Sequence, residues 1–242
     1  MNLLQPQDRR ATSAGDSAPA IAARVRLLSA GIGQQILNSF VERAASVVAP
    51  GAVVVELGSG AGDVLGRLAD GRAITAVGID LSIAAAEMAA KRFPEITWVV
   101  ANADRRLPIL DDTATLVLSL HARRNPAECA RVLKPGGSLL TGLAAGDDLI
   151  ELRQMVQGTG VERARADLFL EEHAAQFELE DRFVVRERHA LKRDALGDLL
   201  RGSYRGARTS LATRVEALRA LEVTLSTEML LLRKGSVKHD RS

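Results

Sequence analysis

The stretch Val53–Asp63, VVVELGSGAGD, constrains this chain more than any other segment. Three consecutive valines run into an acid and then into glycines at 58, 60 and 62, the signature of a buried strand ending in a tight loop. GAGDVLGRLAD then reads as the opening of a helix. A strand, a glycine loop and a helix in succession bring free backbone N–H groups and the positive end of a helix to one point, which suits a nucleotide-like ligand.

Strands and helices alternate from there on. Strands are expected at Val53–Leu57, Ile74–Ile79, Thr97–Ala101, Thr115–Leu120 and Ser138–Gly142, with helices at Gly62–Ala69, Ile83–Arg92 and Pro126–Leu133. That alternation specifies an α/β fold with a Rossmann-like, doubly wound, mostly parallel sheet of seven strands. Two helices, Ala18–Ala30 and Gln34–Val48, precede the first strand, behind a polar and loosely held leader over residues 1–17. After the core come helices near Asp147–Gln157 and Val161–Gln176, a strand at Phe183–His189, helices near Lys192–Leu200 and Leu211–Leu221, and a last strand at Val223–Leu232. Two strands joined by so long a helical excursion suit an antiparallel pair at the sheet edge. The organisation is thus a leader and two helices covering the substrate side (1–50), a ligand-binding core (51–145), helices and edge strands that complete the sheet and substrate region (146–235), and a tail (236–242).

A dinucleotide site carries G-x-G-x-x-G and an acid about 20 residues on. Here Asp63 stands where the third glycine belongs, and Glu56 sits inside the end of the strand. Glu56-x-Gly58-x-Gly60-x-Gly62, an acid closing the next strand at Asp80 in AVGIDLS, and LKPGGSLL leading into a later strand together resemble the class I S-adenosylmethionine-dependent methyltransferases. That resemblance implies S-adenosylmethionine as cofactor, S-adenosylhomocysteine as product, and no metal. The loop Gly58, Ser59, Gly60 and Gly62 then approaches a ligand without phosphate. Asp80, with Leu81 beside it, accepts hydrogen bonds from the ribose hydroxyls, each worth about 1.5–3 kcal/mol. Glu56 lies toward the cationic amino end or steadies the turn. ANADRRLPI places Asn102, Ala103 and Asp104 at the adenine.

NLLQPQDRRATSAGDSAPAIAARVRLLSAGIGQQI is similar to a narrower family, the bacterial 23S rRNA guanine-N1 methyltransferases, as are AAKRFPEITWVVANADRRLP and AECARVLKPGGSLLTG. The resemblance extends over most of the chain and implies rRNA as partner, and the cations Arg24, Arg123 and Arg124 are expected at the substrate. Several positions depart from it. That family carries a four-ligand zinc module, whereas Cys129 is the one cysteine here; its Gly-His-Tyr element reads Gly31-Ile32-Gly33; and after the fourth strand this chain has His121-Ala122-Arg123-Arg124. The cofactor half matches and the target half drifts. A methyltransferase of a small molecule, or a cofactor-binding paralogue acting as an interaction protein, therefore stays open beside the RNA reading.

Methyl transfer from a sulfonium is an in-line displacement, so the protein chiefly holds the nucleophile against the methyl group. Loops after the first and fourth strands frame that point and bring Ser119, His121 and Arg123 into reach. His121 is the histidine placed to act as a base near neutral pH, while His173, His189 and His239 read as surface. Cys129 reads as a packed helix residue. No Gly-x-Ser-x-Gly elbow, metal-ligand cluster or Gly-Lys-Ser/Thr loop occurs, which argues against hydrolase, metalloenzyme and kinase chemistry. No apolar run approaches the roughly 18 residues of a membrane span, so the expected compartment is the cytoplasm and a membrane is excluded as partner. Net charge is only +2, yet Arg182–Arg208 holds eight Lys or Arg against three acids, a stretch able to meet RNA. Aromatics are 3%, few for base stacking. The expected partners are rRNA or a small-molecule acceptor, with a second copy of the chain as a further one.

Overall fold

The computed structural model describes residues 1–3, 15–157, 165–203 and 219–235. In chain order they form α1 (Ala18–Ser29), α2 (Gln34–Ala45), β1 (Val53–Leu57), α3 (Asp63–Ala69), β2 (Thr75–Asp80), α4 (Ile83–Arg92), β3 (Thr97–Val100), β4 (Ala114–Leu120), α5 (Pro126–Val132), β5 (Leu133–Ala144), α6 (Ile150–Gln157), α7 (Ala166–His173), β6 (Phe177–Lys192), α8 (Arg193–Ser203) and β7 (Ala220–Lys234). One sheet of seven strands runs β3-β2-β1-β4-β5-β7-β6. The first five strands are parallel, and β7 pairs antiparallel with both β5 and β6. This is the doubly wound sheet with an antiparallel edge pair that the alternation of elements specified.

Period-two patterning distributes side chains to the two faces. On one face Val54, Met229 and Leu231 pack with Phe40 of α2, Leu65 of α3 and Trp98. On the other Val55, Leu57, Leu230 and Leu232 pack with Cys129 of α5 and Phe169 of α7. Both faces are thus covered, and Cys129 is buried as expected. A third cluster, Leu27, Ile32, Leu149, Leu152, Leu196, Leu199, Leu200 and Val223, ties α1 to α6, α8 and the start of β7. It builds a cap from both ends of the chain. The bidentate pair of Arg26 with Asp198, at 2.8 and 2.7 Å, joins α1 to α8 beside it.

Several boundaries differ from the sequence expectation. The leader is docked where described. The Met1 ammonium donates to the Trp98 carbonyl at 2.9 Å and Leu3 N–H to the Val100 carbonyl at 2.8 Å, because β3 is an edge strand with unpaired backbone groups. β6 is much longer than Phe183–His189, and its zipper to β7 starts at Phe177 with Lys234 and ends at Lys192 with Ala220. Leu133 begins β5 instead of ending α5, and Ala220 and Leu221 belong to β7. Of the helix expected at Val161–Gln176, Ala166–His173 is helical; residues 161–164, the expected helix at 211–218 and the tail 236–242 lie outside the described residues.

Helix α2 shows how distant residues complete local structure. Its N-cap, Gly33, has φ +87° and no side chain to offer. The carboxylate of Glu187 on β6 accepts instead from Gly33 N–H and Ile36 N–H, both at 3.1 Å.

Candidate active site

The carboxyl ends of β1 and β2 meet at the glycine loop. Gly58 has φ +69°, and a methyl group added to it would stand 2.2 Å from Cβ of Ala122, so glycine lets the loops after β1 and β4 touch. Gly60 has φ +54°, and a methyl group added there would meet no protein atom within 4 Å. Gly62, at φ +83°, backs onto Trp98. Asp80 closes β2 and organises the loop: Oδ2 accepts from Gly60 N–H at 2.9 Å and Oδ1 from Ser82 N–H at 2.8 Å. Burial raises its pKa, the two N–H bonds pulling the other way. Ser82 is the N-cap of α4 and accepts from Ala85 N–H at 3.2 Å, so Asp80 is not the cap itself. Leu81, half-buried, packs on Ala86 and Val100.

Two polar side chains in this region each carry an oxygen without a partner. Glu56 is 2% exposed, and its Oε2 has no hydrogen bond. Burial drives its pKa well up, and Asp63 and Asp80 add to that while Leu65 N–H opposes it. Ser59 is 6% exposed with Oγ unpartnered. A buried polar atom without a partner is costly. Open space over Gly60 beside an orphaned acid and hydroxyl therefore fits a ligand carrying hydrogen-bond donors, among them a cation, as S-adenosylmethionine does.

The leader closes one side. Gly15, at φ +77°, packs against Ser82, and Ser82 Oγ donates to the Asp16 carbonyl at 2.6 Å. Asp16 in turn pairs with Arg24 of α1, whose Nε donates to the Gly202 carbonyl of α8 at 3.0 Å. Arg24 is therefore engaged within the protein and ties the turn after β2 to the cap.

After β3, Asn102 Oδ1 accepts from Asp104 N–H at 3.0 Å, Ala103 packs on the core, and Asp104 Oδ2 accepts from Arg123 Nη1 at 3.1 Å. Arg123 is 79% exposed along its side chain. Its neighbour Arg124 turns inward, donating to the Ala122 carbonyl at 2.7 Å and lying 4.3 Å from the centre of the Phe169 ring. Burial lowers its pKa to about 10. It packs under α7 while Arg123 beside it points out. Ser119 is wholly buried, its Oγ 3.3 Å from Arg124 Nη1.

His121 follows β4 with φ +55°, its N–H on the Gly142 carbonyl at 2.8 Å and Nε2 at 3.0 Å from Thr227 Oγ1. Desolvation, then Arg165, Arg124 and Arg24, lower its pKa. The residue is exposed, so burial acts on it only in part. Such an imidazole is neutral at pH 7 and a weak base, poorer than the sequence expectation. His173, expected at the surface, is 2% exposed: its Nδ1 lies 2.8 Å from the Phe169 carbonyl and its ring 3.7 Å from the Phe169 ring. A charged helix hid it because one face of α7 is apolar. His189 lies 2.7 Å from Glu187, and His239 is outside the described residues.

Sequence reading missed Asp16 and Ser82, which GDS and DLS signal only once the fold brings them together, and Asp148 in GDDL after β5. A cavity of about 640 Å³ lies between α2 and β6, and none of the expected site residues lines it. Among the described residues no cluster of His, Cys, Asp or Glu is arranged to hold a metal ion, and no helix is long and apolar enough to cross a membrane.

A β3-β2-β1-β4-β5-β7-β6 sheet with an acid at the end of β2 bracing a glycine loop defines a class I S-adenosylmethionine-dependent methyltransferase, and the family model for a methyltransferase domain matches residues 54–137. Solved structures agree on the fold: the YcgJ protein of Bacillus subtilis is 14% identical with a TM-score of 0.61 over 82% of this chain and 99% of that one. Geranyl diphosphate C-methyltransferase of Streptomyces coelicolor A3(2), solved with S-adenosyl-L-homocysteine, is 15% identical with a TM-score of 0.53 over 81% of this chain and 74% of that one. Across 96% of its length the chain is 33% identical to the 23S rRNA (guanine(748)-N(1))-methyltransferase of Streptomyces fradiae, covering 85% of that protein. It belongs to the bacterial 23S rRNA (guanine-N1)-methyltransferase family.

Proposed function

We propose that this chain methylates N1 of a guanine in large-subunit ribosomal RNA, in the cytoplasm, releasing S-adenosylhomocysteine and using no metal. The observation that carries the reading is the reach of the similarity to the Streptomyces fradiae enzyme, which runs through the cap and the β6–β7 pair as well as the glycine loop. S-adenosylmethionine supplies an electrophilic methyl group. Asp80 receives the ribose hydroxyls on lone pairs left free by Gly60 and Ser82, Glu56 and Ser59 take the amino end, and the Gly58–Gly62 loop lies along the ligand with Leu81. Asn102, Ala103 and Asp104 border the adenine. Arg123, exposed at the rim, meets the RNA backbone.

The basic strand contributes less than its composition suggests. Arg182 pairs with Glu228 and Asp167, Arg186 with Asp147 and Arg201 with Asp198. Arg205 and Arg208 lie outside the described residues.

The test is transfer of tritiated methyl to protein-free large-subunit rRNA and, separately, to a small-molecule extract. Label in the rRNA, with affinity for it falling steeply as salt rises, supports the reading. Label confined to small molecules refutes it.

A further inference from the structure

Guanine N1 carries a proton that must leave, and His121 is a poor base for it. One carboxylate at the same end of the sheet is used by no step above. Asp148 follows the carboxyl end of β5, and its Oδ1 accepts from Ser226 N–H of β7 at 2.9 Å. The next residue of β7, Thr227, holds His121 through Oγ1, so the two side chains are fastened to adjacent positions of one strand. Leu149 has φ +53°, rare for a branched residue. It is kept there because its side chain packs in the cap with Leu27, Leu196, Leu199 and Val223 and its N–H bonds the Thr224 carbonyl at 2.8 Å. Strain of this kind persists only where the surroundings over-determine it. Among the described residues, Asp148 Oδ2 takes part in no hydrogen bond.

We propose that Asp148 is the group that takes the proton from the acceptor nitrogen, a role that rests on the guanine reading above. The Asp148 carboxylate accepts the N1 proton as the N1 electron pair forms the bond to the methyl carbon. The carbon–sulfur bond breaks with its pair remaining on sulfur, which becomes the neutral thioether. The Asp148 carboxyl then releases the proton to water. Burial lifts the Asp148 pKa to about 6, while His121 is pushed down, so the carboxylate is ionised at pH 7 and suited to the task. The charged groups around it are Arg153 of α6 and Arg165 ahead of α7, both favouring the carboxylate, and Asp147, which opposes it and is itself tied to Arg186 of β6. Glu151 of α6 is held by Thr224 of β7, and Arg165 also bears on His121.

The experiment uses the full chain, S-adenosylmethionine and protein-free large-subunit rRNA. Asp148→Asn retains an acceptor for Ser226 N–H but cannot take a proton. Its rate is expected to fall about 10²–10⁴-fold and to lose the inflection near pH 6 expected of the wild type, with S-adenosylhomocysteine affinity within about twofold. Asp148→Glu restores part of the rate. A readout independent of turnover is infrared titration of the ligand-free protein, in which a carboxyl titrating near pH 6 disappears in Asp148→Asn. An Asp148→Asn enzyme with the wild-type rate and pH profile, or a wild type without that carboxyl, overturns the role. A wild type that leaves the rRNA unlabelled overturns the guanine reading itself, and this role with it.

Discussion

Gly60 and Gly71 form a matched pair for testing where the cofactor lies. Both have left-handed backbone, φ +54° and +66°, and a methyl group added to either meets no protein atom within 4 Å. Alanine at either position therefore carries the backbone cost alone, about 1–2 kcal/mol. For a chain of this size each kcal/mol lowers Tm by about 2–4 °C, so Gly60→Ala and Gly71→Ala should each melt about 2–8 °C below wild type. They differ in what the methyl group faces. Gly60 donates its N–H to Asp80 at the proposed ribose site, whereas Gly71 turns the chain after α3, at the opposite end of β2. Calorimetry should show S-adenosylhomocysteine binding weakened tenfold or more in Gly60→Ala, about 1.4 kcal/mol or above, and within about twofold of wild type in Gly71→Ala. Equal affinity in the two variants, with equal loss of Tm, would refute the placement of the ligand over Gly60.

Asp80→Ala removes the acceptor for Gly60 and Ser82 together with the proposed ribose contact, and calorimetry should find S-adenosylhomocysteine bound at least about tenfold more weakly. His173 has a pKa below the usual 6.5, chiefly through burial. The unfolded chain therefore binds its proton more readily, and the stability this neutral side chain sustains is complete above about pH 6.5 and lost as pH falls. His173→Phe should flatten the acid-side decline of Tm, and an unchanged slope would assign that decline elsewhere. Arg123→Ala, at an exposed ion pair, should leave stability within about 0.5 kcal/mol by chemical denaturation. Arg124→Ala, which empties a guanidinium from between the β4 loop and the Phe169 ring, should cost about 1–3 kcal/mol.

Local pattern determined a great deal of this protein. Valines running into glycines specified β1 and its loop, alternation of strand and helix specified a parallel sheet, and the spacing of Glu56 and Asp80 around the glycines pointed to the candidate ligand end proposed above. These features are legible because they depend on residues a few positions apart, where periodicity and turn chemistry act directly. Tertiary structure alone decided which polar groups meet. Glu187 caps α2 from 154 residues away, Asp16 and Arg24 link the turn after β2 to α8, and Arg124 turns inward while Arg123 beside it stays out. Burial, too, is a property of the folded whole. It hid His173 on a helix whose sequence looks charged, and it raised the proton affinity of Asp148, since a group's hydration is set by what packs around it and not by its neighbours in the chain.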